Sequence, residues 1–251
     1  MASSQKVRSL SVKSWEINNS ELGEGGPATM FDVFHRTGRE IMLQRLILIA
    51  QLPRNLADRT ELGAHYEKLN FQLSKQYSWD HVTGLLLIYP SCLLHVIEAS
   101  RDILLPVLKD VKDMQQTENP LLETAKVVFV AHDPQNRMFH QWSYKVLRAD
   151  QVTRDGGTKG LEEEEESTET LVCGVLSVLQ SLGEHLEGSR DFPGLVLDET
   201  PELIVPQDVL EKLLTRDELQ TPKLFLQMYN SPLNISMDFG QVTRSSCLTK
   251  V

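Results

Sequence analysis

The histidines are the side chains of this sequence best suited to acid–base chemistry or metal binding near neutral pH. His81, His132 and His140 are too far apart in the sequence to indicate a set of metal ligands, and the Asp-Pro pair after His132 is typical of a loop. His95 lies in the apolar run Cys92–Ile97, which favours a core histidine or a cavity filler over a catalyst. The histidines therefore predict no metal site and no catalytic group.

The hydroxyl and thiol groups show no catalytic pattern either. Ser91 and Cys92 lie in a tight turn, and the sequence places no histidine with an orienting carboxylate near either of them. The glycines Gly23, Gly25 and Gly26 do not precede a helical pattern, so they do not indicate a phosphate-binding loop. We therefore expect no catalytic residue, and we predict that the protein is not an enzyme.

The net charge and the cysteine content indicate which classes of partner and which cellular compartment to expect. The chain has a formal net charge of -10, and this acidic surface argues against nucleic acid as a partner. Cys92, Cys173 and Cys247 are odd in number and scattered, which indicates a reducing compartment rather than a disulfide framework. The sequence lacks both an apolar run of the ~18 residues that a membrane span needs and an apolar secretory signal. We therefore expect a cytoplasmic protein without membrane contact.

Short apolar runs predict the strands of the fold. Arg45–Ala50 suits a strand that is covered on both faces. Val82–Tyr89 and Cys92–Ile97 are separated by so few residues that they must form an antiparallel hairpin. Lys126–Ala131 predicts a fourth strand, and the polar–apolar alternation of Phe139–Leu147 predicts a weaker fifth strand at a sheet edge.

Two amphipathic helices are predicted between these strands. The first has an apolar stripe spaced by four, three, four and four residues, formed by Leu62, Tyr66, Leu69, Leu73 and Tyr77. The second follows the candidate N-cap Ser100. Its stripe is formed by Ile103, Leu104, Val107, Leu108 and Val111. The resulting order, βαββαββ, predicts an α+β fold of the ferredoxin-like type with an added strand.

Beyond the fifth strand the sequence predicts a linker and a third amphipathic helix. Asp155–Thr170 contains the glutamate run Glu162–Glu166, which is typical of a solvated spacer, with an acidic binding tail as the alternative. The helix has an apolar stripe formed by Leu171, Val175, Val178, Leu182 and Leu186, and it is widened on one flank by Val172, Leu176 and Leu179. Because both faces of the strands are apolar and the first two helices shield only one, we expect this helix to pack on the second face.

The remaining C-terminal pattern is less regular. Leu195–Leu197 and Leu203–Val205 resemble short strands, and Thr221 with Pro222 predicts the start of a short helix that ends near Tyr229. The chain is therefore predicted to divide into four parts, a flexible arm at 1–40, a folded domain at 41–150, an acidic Gly/Glu linker at 151–170 and an extension at 171–251.

Three stretches of the predicted domain resemble the BLUF domain, a blue-light sensor that holds a flavin between two helices of a ferredoxin-like fold. The stretches are Val82–Leu87, Leu94–Ala99 with Glu98 near its end, and Phe139–Ser143 with Trp142. Their order and spacing follow the family over about residues 42–148. The resemblance implies that the positions of a flavin pocket are held by Leu48, Tyr77, His95 and Trp142.

At these positions the chain departs from the light-sensing members. A tyrosine on strand one, a glutamine on strand three and an asparagine on helix one are replaced by Leu48, His95 and Tyr77. Leucine has no hydroxyl group, histidine cannot perform the amide rearrangement of glutamine, and the ring of Tyr77 can fill the pocket itself. The resemblance therefore implies a degenerate site, for which we expect no cofactor, with FAD as the alternative.

The expected function is a non-enzymatic interaction or structural module that presents a sheet edge, the acidic linker and the arm to other proteins. The alternative is a flavin-binding sensor with altered or lost photochemistry, in which His95 replaces the glutamine. The whole chain also resembles a family of testis-expressed vertebrate proteins. This second resemblance implies a sperm protein of the flagellum or cytoskeleton, with axonemal or microtubule-associated proteins as partners.

Overall fold

The computed structural model describes residues 42–56, 58–117, 120–152, 166–188 and 193–229, all of which belong to the unit Thr37–Ser231. The arm predicted at 1–40 and most of the linker predicted at 151–170, including Glu162–Glu165, lie outside the described residues. No helix in these described ranges combines the length and the apolar character that crossing a bilayer requires.

The described residues form five strands and seven α-helices. The strands are β1 (Gln44–Gln51), β2 (Thr83–Ile88), β3 (Cys92–Ala99), β4 (Ala125–His132) and β5 (Trp142–Val146). The helices are α1 (Thr60–Gln76), α2 (Arg101–Gln115), α3 (Ala149–Val152), α4 (Thr168–Gly188), α5 (Pro193–Glu199), α6 (Gln207–Leu214) and α7 (Pro222–Tyr229).

The strands form one sheet in the order β4-β1-β3-β2-β5. β1 is antiparallel to both β3 and β4, and β2 is antiparallel to β3. β5 pairs in parallel with β2 and lies at the edge, as its alternating sequence predicts. The first four strands thus have the order and the crossovers of a ferredoxin-like α+β fold, which confirms the predicted fold class.

α1 and α2 cover one face of the sheet and share its apolar core. Leu62, Tyr66 and Leu73 of the stripe predicted for α1 are buried in this core, whereas Leu69 and Tyr77 are only half-buried. Asn70 is buried in place of Leu69. Ser100 is the N-cap residue of α2, as predicted, but its side chain makes no capping hydrogen bond. Gly63 lets α1 approach β5 closely, because a Cβ atom at this position would overlap the ring of Tyr144.

α4 covers the opposite face of the sheet, as predicted. Its buried residues are Leu171, Val175, Leu179, Leu182 and Leu186. Val178, which was predicted within the stripe, is only half-buried, whereas Leu179, which was predicted on its flank, is fully buried. At 100° per residue Val178 and Leu179 lie about 50° to either side of the centre of the stripe, so the spacing cannot choose between them. The direction from which the sheet approaches the helix selects Leu179.

The two short strands predicted at Leu195–Leu197 and Leu203–Val205 are wrong. The first belongs to α5, and the second begins at the end of a 3-10 turn, Pro201–Leu203. A run of three apolar residues is too short for its periodicity to separate strand from helix. The proline that begins α5 favours a first helical turn. Leu195 is 59% exposed and the two consecutive residues Val196 and Leu197 are buried, which departs from the alternation of a strand.

The last two helices fix the C-terminal part to both faces of the sheet. α6, which the sequence analysis did not identify, packs on the α4 side through Leu210 and Leu213. α7 begins at Pro222 and ends at Tyr229, which confirms the prediction, and it packs against α2 on the other side. The backbone N–H of Val127 donates a 2.8 Å hydrogen bond to the carbonyl oxygen of Gln220, so this segment also covers part of the β4 edge.

Candidate functional site

The structure brings together three of the four residues predicted for the pocket, on the sheet face that α1 and α2 cover. Leu48 of β1 and His95 of β3 are cross-strand partners, and both are fully buried. Nε1–H of Trp142 on β5 donates a hydrogen bond of 3.1 Å to Nε2 of His95. Tyr77 is half-buried and follows the last residue of α1, about 16 Å along the helix axis from Tyr66, the α1 residue that contacts His95.

Tyr66 fills the space between α1, α2 and His95. Its side chain is fully buried, and its ring centroid lies 4.7 Å from that of His95 in an edge-on arrangement. Its hydroxyl oxygen lies 3.9 Å from Sδ of Met114 on α2. Burial raises the pKa of Tyr66, so the phenol stays protonated at neutral pH. A side chain of the protein therefore occupies the region between the helices where the resemblance implies a flavin.

His95 is held in one neutral form. The indole N–H of Trp142 can only donate, so Nε2 of His95 accepts and the ring proton lies on Nδ1. That Nδ1 atom is buried and has no hydrogen-bond partner among the described residues. Burial lowers the pKa of His95 to about 3, so the imidazole is uncharged and a poor general base at neutral pH.

Because His95 is neutral when folded, we expect it to make the protein less stable as the pH falls. Its pKa is about 3 in the folded chain against an ordinary value of 6.5, so the unfolded chain binds the proton first. Between pH 7 and pH 5 this difference should lower the free energy of unfolding by about 2 kcal/mol. Urea unfolding of the wild type and of His95→Gln at both pH values measures the effect.

The His95→Gln variant should lose correspondingly less stability between the two pH values. His81→Gln is the matched control, because it makes the same substitution at an exposed histidine outside the core. Equal losses in the wild type and in His95→Gln would show that His95 does not carry this proton linkage.

Asn70 is a site residue that the sequence analysis missed. It lies on the buried side of α1, one helical turn after Tyr66, and it is 6% exposed. Neither its amide nitrogen nor its amide oxygen has a hydrogen-bond partner among the described residues. A buried, unpaired amide costs about 1–3 kcal/mol. The signal was present in the sequence, because Asn70 follows Tyr66 at the four-residue spacing of the helix face.

Glu98 forms a second buried polar cluster at the end of β3. Its side chain is fully buried, and its carboxylate accepts hydrogen bonds from Nε of Arg45 at 2.7 Å and from Oγ1 of Thr83 at 2.9 Å. The backbone N–H groups of Met138 and Phe139 donate two more, at 2.7 Å and 3.1 Å. Glu98 therefore ties β1, β2 and β3 to the segment that leads into β5.

Arg137 extends this cluster to the end of α1. It donates to the carbonyl oxygen of Glu98 at 2.7 Å and to Oγ1 of Thr83 at 3.1 Å, and it forms an ion pair with Asp80 at 3.3 Å. Asp80 in turn accepts from the backbone N–H of Ser100 at 2.6 Å. Each carboxylate of the cluster has a donor, so the arrangement is that of a structural network rather than of a free acid or base.

Ser91 and Cys92 do not form a nucleophile with a base. The Ser91 hydroxyl donates to Oε1 of Glu211 at 2.6 Å and accepts from Nε2 of Gln207 at 2.7 Å, which fixes α6 to the β2–β3 turn. Burial raises the pKa of the Cys92 thiol to about 12, so its thiolate is absent at neutral pH. Across the described ranges no three His, Cys, Asp or Glu side chains form a group able to hold a metal ion.

Solved structures with a similar fold are BLUF proteins. A structure titled BlrP1 BLUF is 21% identical, with 43% of this chain and 66% of that chain covered and a TM-score of 0.34. The dark-state structure of the BLUF protein BlrB is 16% identical, with 43% and 73% covered and a TM-score of 0.33. Klebsiella pneumoniae BlrP1 with FMN and cyclic diGMP is 18% identical over 55% of this chain, which spans 36% of that longer chain, with a TM-score of 0.37.

These similarities assign no function to any residue of this chain, and the fold assignment rests on the strand order and register described above.

The match to a protein family covers more of the chain than these structural similarities do. The family model of testis-expressed protein 47 matches residues 42–231, which is more than half of the 251 residues and includes both the sheet and the helices after it. The chain therefore belongs to the testis-expressed protein 47 family.

Proposed function

We propose that this protein is a non-enzymatic module that binds other proteins, built on a BLUF-like fold whose flavin slot is closed. The observation that carries the proposal is the buried ring of Tyr66, in contact with His95 on the sheet and Met114 on α2. A flavin between α1 and α2 would need the volume that this ring occupies. Because the fold alone does not define a function, the proposal looks to the exposed surface for a binding site.

A flavin-binding sensor is the second candidate, and one observation favours it. The amide of Asn70 and Nδ1–H of His95 are buried polar groups without partners among the described residues. Flavin offers both carbonyl acceptors and an N–H donor, so a bound flavin would satisfy such groups. This candidate requires the ring of Tyr66 to move out of the slot.

The absorption spectrum of the purified full chain separates the two candidates. We expect no flavin absorption after gel filtration, and no binding heat when FMN or FAD is added, because the slot is closed by Tyr66. Flavin recovered at close to one molecule per chain would contradict the closed slot. Asn70→Ala then serves as the control, since loss of that flavin in the variant would support the sensor and place the ligand at the unpaired amide.

We also propose that the protein works in the sperm flagellum, among axonemal or microtubule-associated proteins. The family name supports expression in testis, and the flagellar location goes beyond that name. Immunofluorescence of sperm checks the location. Signal along the flagellum is the expected result, and signal confined to the sperm head would contradict it.

A further inference from the structure

The outer face of α1 carries a ridge of alternating cationic and aromatic side chains. We define the α1 ridge as Lys68, Phe71, Lys75 and Trp79. Both aromatic side chains are unusually exposed for their size, Phe71 at 61% and Trp79 at 47%. Large exposed aromatic side chains are enriched in protein interfaces, so their presence together requires an explanation.

The helix geometry aligns the first three residues of the ridge. Lys68, Phe71 and Lys75 are separated by three and four residues, so they share the face that points away from the core. The two lysines are about 10 Å apart along the helix axis, with Phe71 between them. Nζ of Lys75 lies 4.3 Å from the centroid of the Phe71 ring, which keeps the cation beside the apolar surface. Trp79 lies three residues after Gln76, the last residue of the helix, and its ring contacts that of Tyr77.

The ridge is a local basic surface on an acidic chain. The chain has a net charge of -10, yet no carboxylate occurs between Lys68 and Trp79. Neither lysine forms an ion pair with another residue of the described ranges. The carboxylate of Glu67 lies about 100° round the helix from Lys68. The next acidic residue after the ridge, Asp80, is buried and paired with Arg137.

We propose that the α1 ridge docks an acidic segment of another protein. Carboxylates of the segment pair with Lys68 and Lys75, and separate apolar side chains of the segment cover Phe71 and Trp79. Charge complementarity is the reason for this choice, because two lysines without an ion pair among the described residues lie on either side of the exposed Phe71 ring. The inference deepens the proposed function, since it rests on the protein being a binding module and names the surface and the partner chemistry.

The size of the ridge favours a peptide over nucleic acid or an anionic membrane. The two lysines span only about 10 Å along the helix axis, and charges beyond a Debye length of ~8 Å are screened at physiological salt. A short acidic segment therefore meets mainly the two lysines. A duplex or a membrane surface extends beyond the ridge and meets the exposed carboxylates of Glu61 and Glu67 as well.

The test uses the full-length chain, labelled with 15N, and a synthetic peptide of glutamates interrupted by leucines. We expect the peptide to shift the backbone amide resonances of residues 68–81, and a matched peptide with lysine in place of glutamate to leave them unchanged. Lys68→Glu with Lys75→Glu should weaken binding about tenfold, because both attractive pairs become repulsive. Phe71→Ser with Trp79→Ser should weaken it by a similar factor through lost apolar contact.

Two exposed pairs elsewhere provide matched controls. Lys109→Glu with Lys223→Glu makes the same charge change outside the ridge, and Leu195→Ser with Met228→Ser removes exposed apolar side chains outside it. Neither control should change the affinity by more than about twofold. Circular dichroism verifies that all variants fold.

Three results would overturn the inference. They are the absence of shifts in the ridge, equal weakening by the control pairs, and tighter binding to single-stranded RNA or to phosphatidylserine vesicles than to the acidic peptide. None of these results bears on the closed flavin slot, which the absorption spectrum tests separately. Conversely, flavin in the purified chain would contradict the proposed function. The peptide titration would still show whether the α1 ridge binds an acidic segment.

Discussion

Replacing Tyr66 by alanine is expected to lower the free energy of unfolding by about 3–5 kcal/mol, as for other large aromatic side chains removed from a core. The ring is fully buried between His95 on the sheet and Met114 on α2, so its removal leaves a cavity at the centre of the α1/α2 face. Urea unfolding at neutral pH measures the change through the shift of the midpoint at constant slope.

Two further variants in α1 show whether the loss of stability comes from removing the buried ring of Tyr66. Tyr66→Phe keeps the ring and loses only the weak contact of the hydroxyl with the sulfur of Met114, so it should cost less than about 1 kcal/mol. Phe71→Ala removes an aromatic ring that is 61% exposed, and it should cost less than about 1 kcal/mol as well. If Tyr66→Ala were as mild as Phe71→Ala, the ring would not be a tightly packed part of the core between α1, α2 and the sheet.

Replacing Glu98 by alanine should destabilise the protein by about 3–5 kcal/mol, because one partner of a buried ion pair is removed. The variant leaves the guanidinium of Arg45, which is 16% exposed, without its carboxylate, and it leaves the N–H groups of Met138 and Phe139 without their acceptor. Thermal or urea unfolding measures the loss. The segment before β5 should also exchange its amide hydrogens faster.

Glu98→Gln separates charge from hydrogen bonding. The amide keeps one acceptor oxygen and turns an N–H₂ group towards a donor, so we expect a loss of about 1–3 kcal/mol, between the wild type and the alanine variant. Glu67→Ala, at an exposed position on α1, should change stability by no more than about 0.5 kcal/mol. An equally small effect of Glu98→Ala would mean that the cluster does not hold the sheet to this segment.

The sequence by itself determined the strands, the main helices and the layers, because these depend on local periodicity. The stripe of α1, the hairpin of β2 and β3, and the double-sided apolar character of β1 each require a fixed number of residues per turn or per pleat. These periodicities alone predict the ferredoxin-like order of strands and helices. They also predict that a further helix, α4, must cover the second face of the sheet. The apolar setting of His95 likewise predicts burial, and the structure agrees.

The site was harder to predict, because it depends on which side chains point into one volume. The resemblance implied Tyr77 as the ring that fills the pocket, whereas in the structure Tyr66 lies between α1, α2 and His95. Both tyrosines belong to the same apolar stripe, and only the axial position of α1 against the sheet distinguishes them. At β5 the helix and the sheet come close because Gly63 leaves room for the ring of Tyr144, and these two residues are distant in sequence.

Contacts between residues far apart in the chain also explain the other differences between the predicted and the observed structure. Burial of Asn70 in place of Leu69, and of Leu179 in place of Val178, depends on the direction from which the sheet meets each helix. The helical form of Pro193–Glu199 depends on what Val196 and Leu197 can bury against. A sequence specifies which residues are apolar and how they repeat. Only the tertiary structure, through contacts between residues far apart in the chain, decides which member of a repeat reaches the core.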